Sequence, residues 1–394
     1  MKVAMLNTAL DRGGAARMAK TLALAEARLG VDVTLYHAQD SDIARPFHGL
    51  KRPFSRHVNA LLWRIGGATR QYDMGVAAEF VKFASDADVI HLHNVHGYYL
   101  DIGELFAKLT NRPIVWTWHD MWPVTGRCSN ATNCEGWYRG CVCCPHKDYY
   151  PAAWIDNARS EYILKSQIFA DLANLWVVSP SQWLRKIALQ RGFDPASTLV
   201  IPNPVDLAAY RACDKREARR ELGLNLEGGC LLFVAADCDD RRKGYADFAE
   251  VVQRGGWRGL VVGKPPANRI NAFHYAGPIH DPARLSLYYS AADAFVITSY
   301  ADNYPNTVIE ALACGTDVVG YATGGIADQV PNPELTIAAV GNRDDLLDKL
   351  RCLMSHDSSS SGQSLRDYAQ RAWAPAFIAA EYISIYEKAM SARA

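Results

Sequence analysis

Short β-rich apolar runs alternate with helical patterns along nearly the whole chain, in two successive series. The first holds "KVAMLN", "VDVTLYHA", "ADVIHLHNV", "PIVWTWHD" and "LWVVSPS"; the second holds "CLLFVAAD", "GLVVGK", "FHYAGPI", "DAFVITS" and "DVVGYATGG". Strands separated by helices are the pattern of parallel sheets in α/β domains. Between the series lies "IPNPVD", rich in proline and polar residues, which marks a domain junction. The expectation is an α/β chain of two Rossmann-like, doubly wound domains facing a cleft. Residues 1–203 make the first and 204–373 the second, with an amphipathic helix over 374–394 packing back on the first. "HDSSSSGQS" reads as an exposed loop. In such sheets a ligand sits outside the carboxyl ends of the strands.

Composition removes several function classes. At 394 residues there is enough chain for two cores, and 42 Lys and Arg balance 42 Asp and Glu. That balance argues against nucleic-acid binding through a basic surface. No apolar run approaches the ~20 residues that span a bilayer. The N-terminal "KVAMLNTALDRGG" passes straight into charge and reads as a buried first strand rather than a signal peptide. The expected location is cytoplasmic, where the ten cysteines would be thiols or metal ligands rather than disulfides.

Chemistry concentrates in "DNYPNTVIEALACG", which begins at Asp302. Val308, Ile309, Leu312 and Ala313 repeat at helical spacing, and Gly315 suits the left-handed position that closes a helix. Thr307 and Glu310 match a capping box, in which hydroxyl and carboxylate each satisfy a backbone donor. A cap explains neither Asp302 nor the Asn-Tyr-Pro-Asn run. A helix N-terminus is also an anion site, and a phosphate there would leave Glu310 ~5 Å along the axis, a ribose-sized offset.

Other stretches carry weaker signals. "DRGGAAR" lacks the G-x-G-x-x-G of a dinucleotide site, although Gly13 and Gly14 allow close backbone approach at the next helix. "CDDRRKG" places Arg241, Arg242 and Lys243 at a strand's end, where cations suit a diphosphate leaving group. Asp237 and Asp239 spell D-x-D, a metal motif elsewhere, but here they open a second domain. His91 and His93 fall on one face of a strand, with His96 close behind and His119-Asp120 ending another. Cys128, Cys134, Cys141 and Cys144, with Cys143 as a fifth, leave free thiols and a structural zinc site both open. In residues 51–66, Phe54, Val58, Leu61, Leu62 and Ile65 form an apolar stripe beside Lys51, Arg52, Arg56 and Arg64. Such a helix either packs on the sheet or lies on an anionic membrane.

Taken in order, the Gly-Gly turn, "HLHN", "TWHD", "VSPS", "PNPVD", "RRKG", "DNYPNTVIEALACGTDVV" and "GG" resemble the retaining family-4 glycosyltransferases of the GT-B fold. The stretch "VWTWHDMWPVTGRCSNATNCEGWYRGCVCCP" looks like the colanic-acid-type exopolysaccharide glycosyltransferases. The resemblance implies a nucleotide-sugar donor, carrying UDP or GDP, and a lipid-linked saccharide acceptor, with no cofactor required for catalysis. The family's E-x7-E is matched by Asp302 and Glu310, the first shortened by a methylene. By resemblance Asp302 contacts the donor sugar, Glu310 holds the ribose, and the backbone of Asn303, Tyr304, Pro305, Asn306 and Thr307 meets the diphosphate. Lys243 and Arg242 meet the leaving group, Gly13 and Gly14 line the donor, and His119 lies near the anomeric centre. The family commonly carries Gly-Arg where this chain has Ala236-Asp237. Two other functions stay open on the residues: a non-catalytic nucleotide-sugar-binding partner in a polysaccharide assembly, and a nucleotide-sugar epimerase of the same fold.

Overall fold

A computed structural model describes residues 1–392 apart from 11–12, 39–45, 51–54, 67–74, 132–133, 148–150, 225–227 and 356–360; for 55–57, 66 and 361 it describes backbone alone. The chain forms two compact units, Met1–Pro204 with Pro375–Ala394, and Val205–Ala374.

The first unit is built on β1 (Lys2–Asn7), β2 (Asp32–His37), β3 (Phe47–Gly49), β4 (Val89–Leu92), β5 (Ile114–Thr117), β6 (Leu175–Ser179) and β7 (Thr198–Val200). They form one sheet in the order β3-β2-β1-β4-β5-β6-β7, every pair parallel. Alternation along β1 feeds two cores, because successive side chains leave a strand on opposite faces. Val3 and Met5 join Met18, Leu22, Ile378, Tyr382 and Ile385 on one side. Ala4 and Leu6 join Phe80, Leu105, Phe106 and Trp116 on the other. The helix Pro375–Ser391 thereby completes the first unit although it is the last helix of the chain.

The second unit holds β8 (Cys230–Asp237), β9 (Arg258–Lys264), β10 (Phe273–Gly277), β11 (Ala294–Ile297), β12 (Asp317–Tyr321) and β13 (Ile337–Ala338). Their order is β10-β9-β8-β11-β12-β13, again parallel. Leu231 and Phe233 of β8 enter one core, and Cys230 and Leu232 the other.

Both sheets are doubly wound. The first runs outward from β1 to β3 and returns beside β1 as β4; the second runs from β8 to β10 and returns as β11. Such reversals open a crevice at the strands' carboxyl ends, where this architecture binds ligands. Lys243 follows β8 and Asp302 follows β11; Gly13 follows β1, His91 lies in β4 with His93 and His96 after it, and His119 follows β5. The sequence has thus placed its candidate residues beside the two reversals.

Candidate functional site

In the second unit the chain leaves β8 and makes a single 3-10 turn over Arg241–Lys243. Asp240 caps it, accepting the Arg242 backbone N–H at 3.0 Å and the Arg242 guanidinium at 3.1 and 2.7 Å. Gly244 ends the turn at φ +69°, where a Cβ would stand 2.0 Å from the carbonyl oxygen of Thr298. Only glycine lets this turn lie on the end of β11. The Thr298 hydroxyl donates to the Gly244 carbonyl at 2.9 Å, and the Tyr300 N–H donates to that of Arg242 at 2.7 Å. Pinned this way, Lys243 places its Nζ 2.6 Å from Asp302 Oδ2.

The loop after β11 is held by its own backbone. Gly324 has φ +57° and lies so close that a Cβ would fall 1.9 Å from the Asp302 carbonyl oxygen. Gly325 N–H donates to the Asn303 carbonyl at 2.7 Å, and the Gln329 amide donates to that of Pro305 at 3.0 Å. The helix Asn306–Ala313 follows, with Pro305 at its N-cap and no side chain capping it. Asn306 and Thr307 occupy its first turn half-buried.

The capping box read from the sequence is therefore not formed. Pro305, its φ fixed at −68°, is the N-cap and starts the helix two residues earlier than the capping box requires, which puts Thr307 inside it. Glu310 is 2% exposed and accepts from the Tyr289 hydroxyl at 3.0 Å. Burial, and then the charge of Glu310, push the Tyr289 hydroxyl well above its usual range, so it stays a donor. The Tyr304 side chain is buried, accepting from the Trp373 indole N–H at 2.9 Å, which leaves its backbone to face the loop. Gly315 closes the helix as expected, at φ +75°, with Thr316 N–H returning to Ala311 at 2.9 Å.

Asp237 and Asp239 do not pair as a metal motif. Asp237 meets Lys264 Nζ at 2.8 Å, and Asp239 accepts the Ala267 N–H at 3.1 Å. Lys264 is a cation the sequence reading passed over; it ends β9 next to the strand-end carboxylate, and only strand pairing reveals that proximity.

In the first unit the helix Gly14–Arg28 starts with Gly13 at its N-cap, at φ +90° and with no side-chain cap. Among the described residues, a Cβ there would meet nothing within 4 Å. Beyond β4 and β5 the histidines gather. His93 Nδ1 lies 3.1 Å from His119 Nε2, and the His91 and His93 rings stand 4.2 Å apart. His91 spans Tyr386 Oη at 2.6 Å and Thr117 Oγ1 at 2.8 Å, and Tyr386 donates on to Glu26 at 2.7 Å. His96 Nε2 meets Asp120 Oδ2 at 2.9 Å. Burial pushes His91 down to about 3 and His119 down to about 4, and drives His93 well below its usual value. These rings are neutral at pH 7, so His119 there is no reservoir of positive charge. Burial pushes the Asp120 carboxyl up, but His96 more than offsets it and holds the group below its usual range. Glu26 is pushed up to about 8 by burial, against the hydrogen bond from Tyr386.

The cysteine segment is free thiols. Cys141 Sγ accepts from Gly126 N–H at 3.1 Å and Cys134 Sγ from Gly136 N–H at 3.3 Å. Burial pushes the Cys128 thiol up to about 11. Among the described residues no three His, Cys, Asp or Glu side chains are gathered as a metal's ligand set. Neither Cys128, Cys134, Cys141 and Cys144 nor His91 of β4 with His93 and His96 after it forms such a set.

The stripe of residues 51–66 resolves against packing on the sheet where it can be seen. Lys51, Arg52 and Phe54 lie outside the described residues, as does the Arg56 side chain. In the helix Ser55–Gly66 the face turned inward is Asn59, donating to the Tyr98 carbonyl at 3.1 Å, and Trp63, donating to that of Pro151 at 3.2 Å. Val58, Leu61, Leu62 and Ile65 point outward, exposed by 49%, 50%, 41% and 46%. Trp154 and Ile155 are exposed as well, and the Trp154 N–H donates to the Arg64 carbonyl at 2.8 Å.

WcaC of Escherichia coli (strain K12), named for colanic acid biosynthesis, is 29% identical over 245 residues, 59% of this chain and 59% of that one. The D-inositol 3-phosphate glycosyltransferase of Acidothermus cellulolyticus is 26% identical over 290 residues, 67% of this chain and 59% of that one. This chain therefore spans about three-fifths of each of those two relatives. Sucrose-phosphate synthase from Thermosynechococcus elongatus superposes with a TM-score of 0.70 at 20% identity, covering 99% of both chains. Anabaena HepE, solved with UDP-glucose, gives 0.66 at 15%, covering 98% of this chain and 99% of that one. The two doubly wound sheets are thus those of the GT-B fold. The Glycosyl transferases group 1 profile matches residues 230–356, which carry Lys243, Asp302 and Glu310. The Glycosyltransferase Family 4 profile matches residues 12–209, half of the chain, and to that family this protein belongs.

Proposed function

We propose that this protein transfers a sugar from a nucleotide-sugar donor to a lipid-linked oligosaccharide, with retention at the anomeric carbon and without a metal. The observation that carries the reading is the grouping at the second reversal: Lys243 held 2.6 Å from Asp302, beside a helix whose N-terminus has no side-chain cap, with Glu310 buried one turn along. A diphosphate meets backbone N–H groups and the positive end of the dipole there. Lys243 exchanges Asp302 for the phosphate as the anomeric C–O bond breaks and its electron pair leaves with the diphosphate, while the acceptor hydroxyl forms the new C–O bond and gives its proton to the departing phosphate oxygen. Arg242, tied to Asp240, contributes field rather than contact. Glu310 takes the ribose hydroxyls, and Asp302 and His119 orient the sugar. The UDP-glucose bound by HepE makes uridine the first nucleotide to test. Gly13 and Gly14, which would line the donor, and the cysteine segment belong to the first unit.

Glu310→Gln tests the donor side. A charge-assisted bond contributes about 1.5–3 kcal/mol, so the variant should bind its nucleoside diphosphate roughly ten- to hundredfold more weakly. Its melting temperature should hold, since glutamine still accepts from Tyr289. Unchanged affinity by calorimetry would remove Glu310 from the donor site. Chelator should leave transfer rates unaltered; activity lost to chelator and restored by manganese would overturn the metal-free reading.

The pairing of Asp237 with Lys264, where the family commonly has Gly-Arg, favours one second reading. In it the chain binds a nucleotide sugar without transferring it. Donor consumption that appears only with acceptor separates transfer from this reading, and from epimerisation, which needs no acceptor.

A further inference from the structure

His93 follows β4 directly, is 1% exposed, and has no part in the proposed chemistry. Its Nδ1 is 3.1 Å from His119 Nε2, with the two rings stacked at 5.3 Å and 24°. Its other nitrogen, Nε2, is buried and has no hydrogen-bond partner among the described residues. His91 cannot supply one, since both its nitrogens are taken by Tyr386 and Thr117.

Neutral imidazole carries one proton on one of its two nitrogens. Two arrangements can fill the 3.1 Å contact. If His119 Nε2–H donates, His93 must carry its own proton on Nε2, an N–H buried with no acceptor. If His93 Nδ1–H donates, His93 Nε2 is left as a bare lone pair. Orphaned buried donors are rarer in proteins than under-satisfied acceptors, which ranks the second arrangement first. We infer that His93 is a positioning residue that donates Nδ1–H to His119 Nε2 and so fixes His119 in the tautomer protonated at Nδ1. His119 then works as an N–H donor and cannot remove a proton through Nε2, whose lone pair is already engaged. This rests on the reading that His119 meets the donor sugar.

The test uses the full chain labelled with 15N-histidine and long-range 1H–15N NMR, which separates protonated from bare ring nitrogens. With eleven histidines present, a His119→Gln variant assigns the relevant signals. His119 should show a bare Nε2 and a protonated Nδ1. His93→Leu should release this tautomer toward the Nε2–H form of free imidazole, lower kcat roughly tenfold and leave KM for the donor within about twofold. His93→Gln, whose amide N–H can donate, should recover most of that rate. A protonated Nε2 on wild-type His119 overturns the inference whatever the activity, so the proposal does not depend on the leucine variant folding. An unchanged kcat in a folded His93→Leu overturns the positioning role. If His119→Gln itself transfers normally, His119 is not at the sugar, a failure that the NMR measurement tells apart from a wrong tautomer.

Discussion

Glu26 is an acid in a place that suits a neutral group. Its Oε1 accepts from Tyr386 at 2.7 Å, while its buried Oε2 has no partner. Burial raises its pKa from 4.5 to about 8. A raised folded value means that stability is fully present below the unfolded pKa and is lost as pH rises through the folded one. For Glu26 the window runs from about 4.5 to about 8. Glu26→Gln keeps the volume and the acceptor oxygen but cannot ionise. It should raise the melting temperature above pH 7, recovering on the order of a few kcal/mol, and flatten the pH dependence across that window. Thermal melts at several pH values decide it; a variant no more stable than wild type at pH 8 would show that Glu26 is ionised at little cost. His91, His93 and His119 act the other way. Their depressed values give stability that is present above pH 6.5 and lost as pH falls toward 3–4.

At the scale of elements, periodicity was enough for the sheet interiors and too little for their edges. All ten apolar runs became strands: nine are interior and, buried on both faces, read as continuous apolar stretches, while β10 is a five-residue edge strand. The three strands not foreseen are β3, β7 and β13, edge strands of 3, 3 and 2 residues, too short to show any period. Around the site, the left-handed Gly315 and the helix after Asp302 were legible from local chemistry. The capping box was not ruled out by it, since Thr307 and Glu310 have the right spacing and only the position of Pro305 decides which residue starts the helix. The pairing of His93 with His119 joins residues 26 apart, and no local pattern carries that. The helix Ser55–Gly66 is the clearest reversal: an apolar stripe usually turns inward, but here the inward face is Asn59 and Trp63. Exposed branched aliphatics flanked by Arg64 are suited to an anionic lipid surface, on which a lipid-linked acceptor would lie. Among the described residues no helix is long and apolar enough to cross a membrane. Leu61→Asp with Leu62→Asp should abolish co-sedimentation with vesicles containing anionic lipid and leave nucleotide affinity and melting temperature close to wild type. Vesicle binding that survives the double substitution would reject this face as the contact.

On the scale of the whole molecule, the chain leaves its first unit after Pro204, builds the second, and comes back at Pro375. The returning helix buries Ile378, Tyr382, Ile385 and Tyr386 in the first core, and its tyrosines satisfy Thr117 and His91. A chain ending at Ala374 should therefore lose the cooperative unfolding of its first unit while still binding a nucleoside diphosphate. Calorimetry with and without the nucleotide would show this, and a truncated chain with two intact transitions would contradict it. The same connectivity sets an order during synthesis. Residues 205–374 are synthesised before the helix Pro375–Ser391 that completes the unit bearing His119. On each new chain, every residue of the second unit is therefore made before the histidine side can be completed.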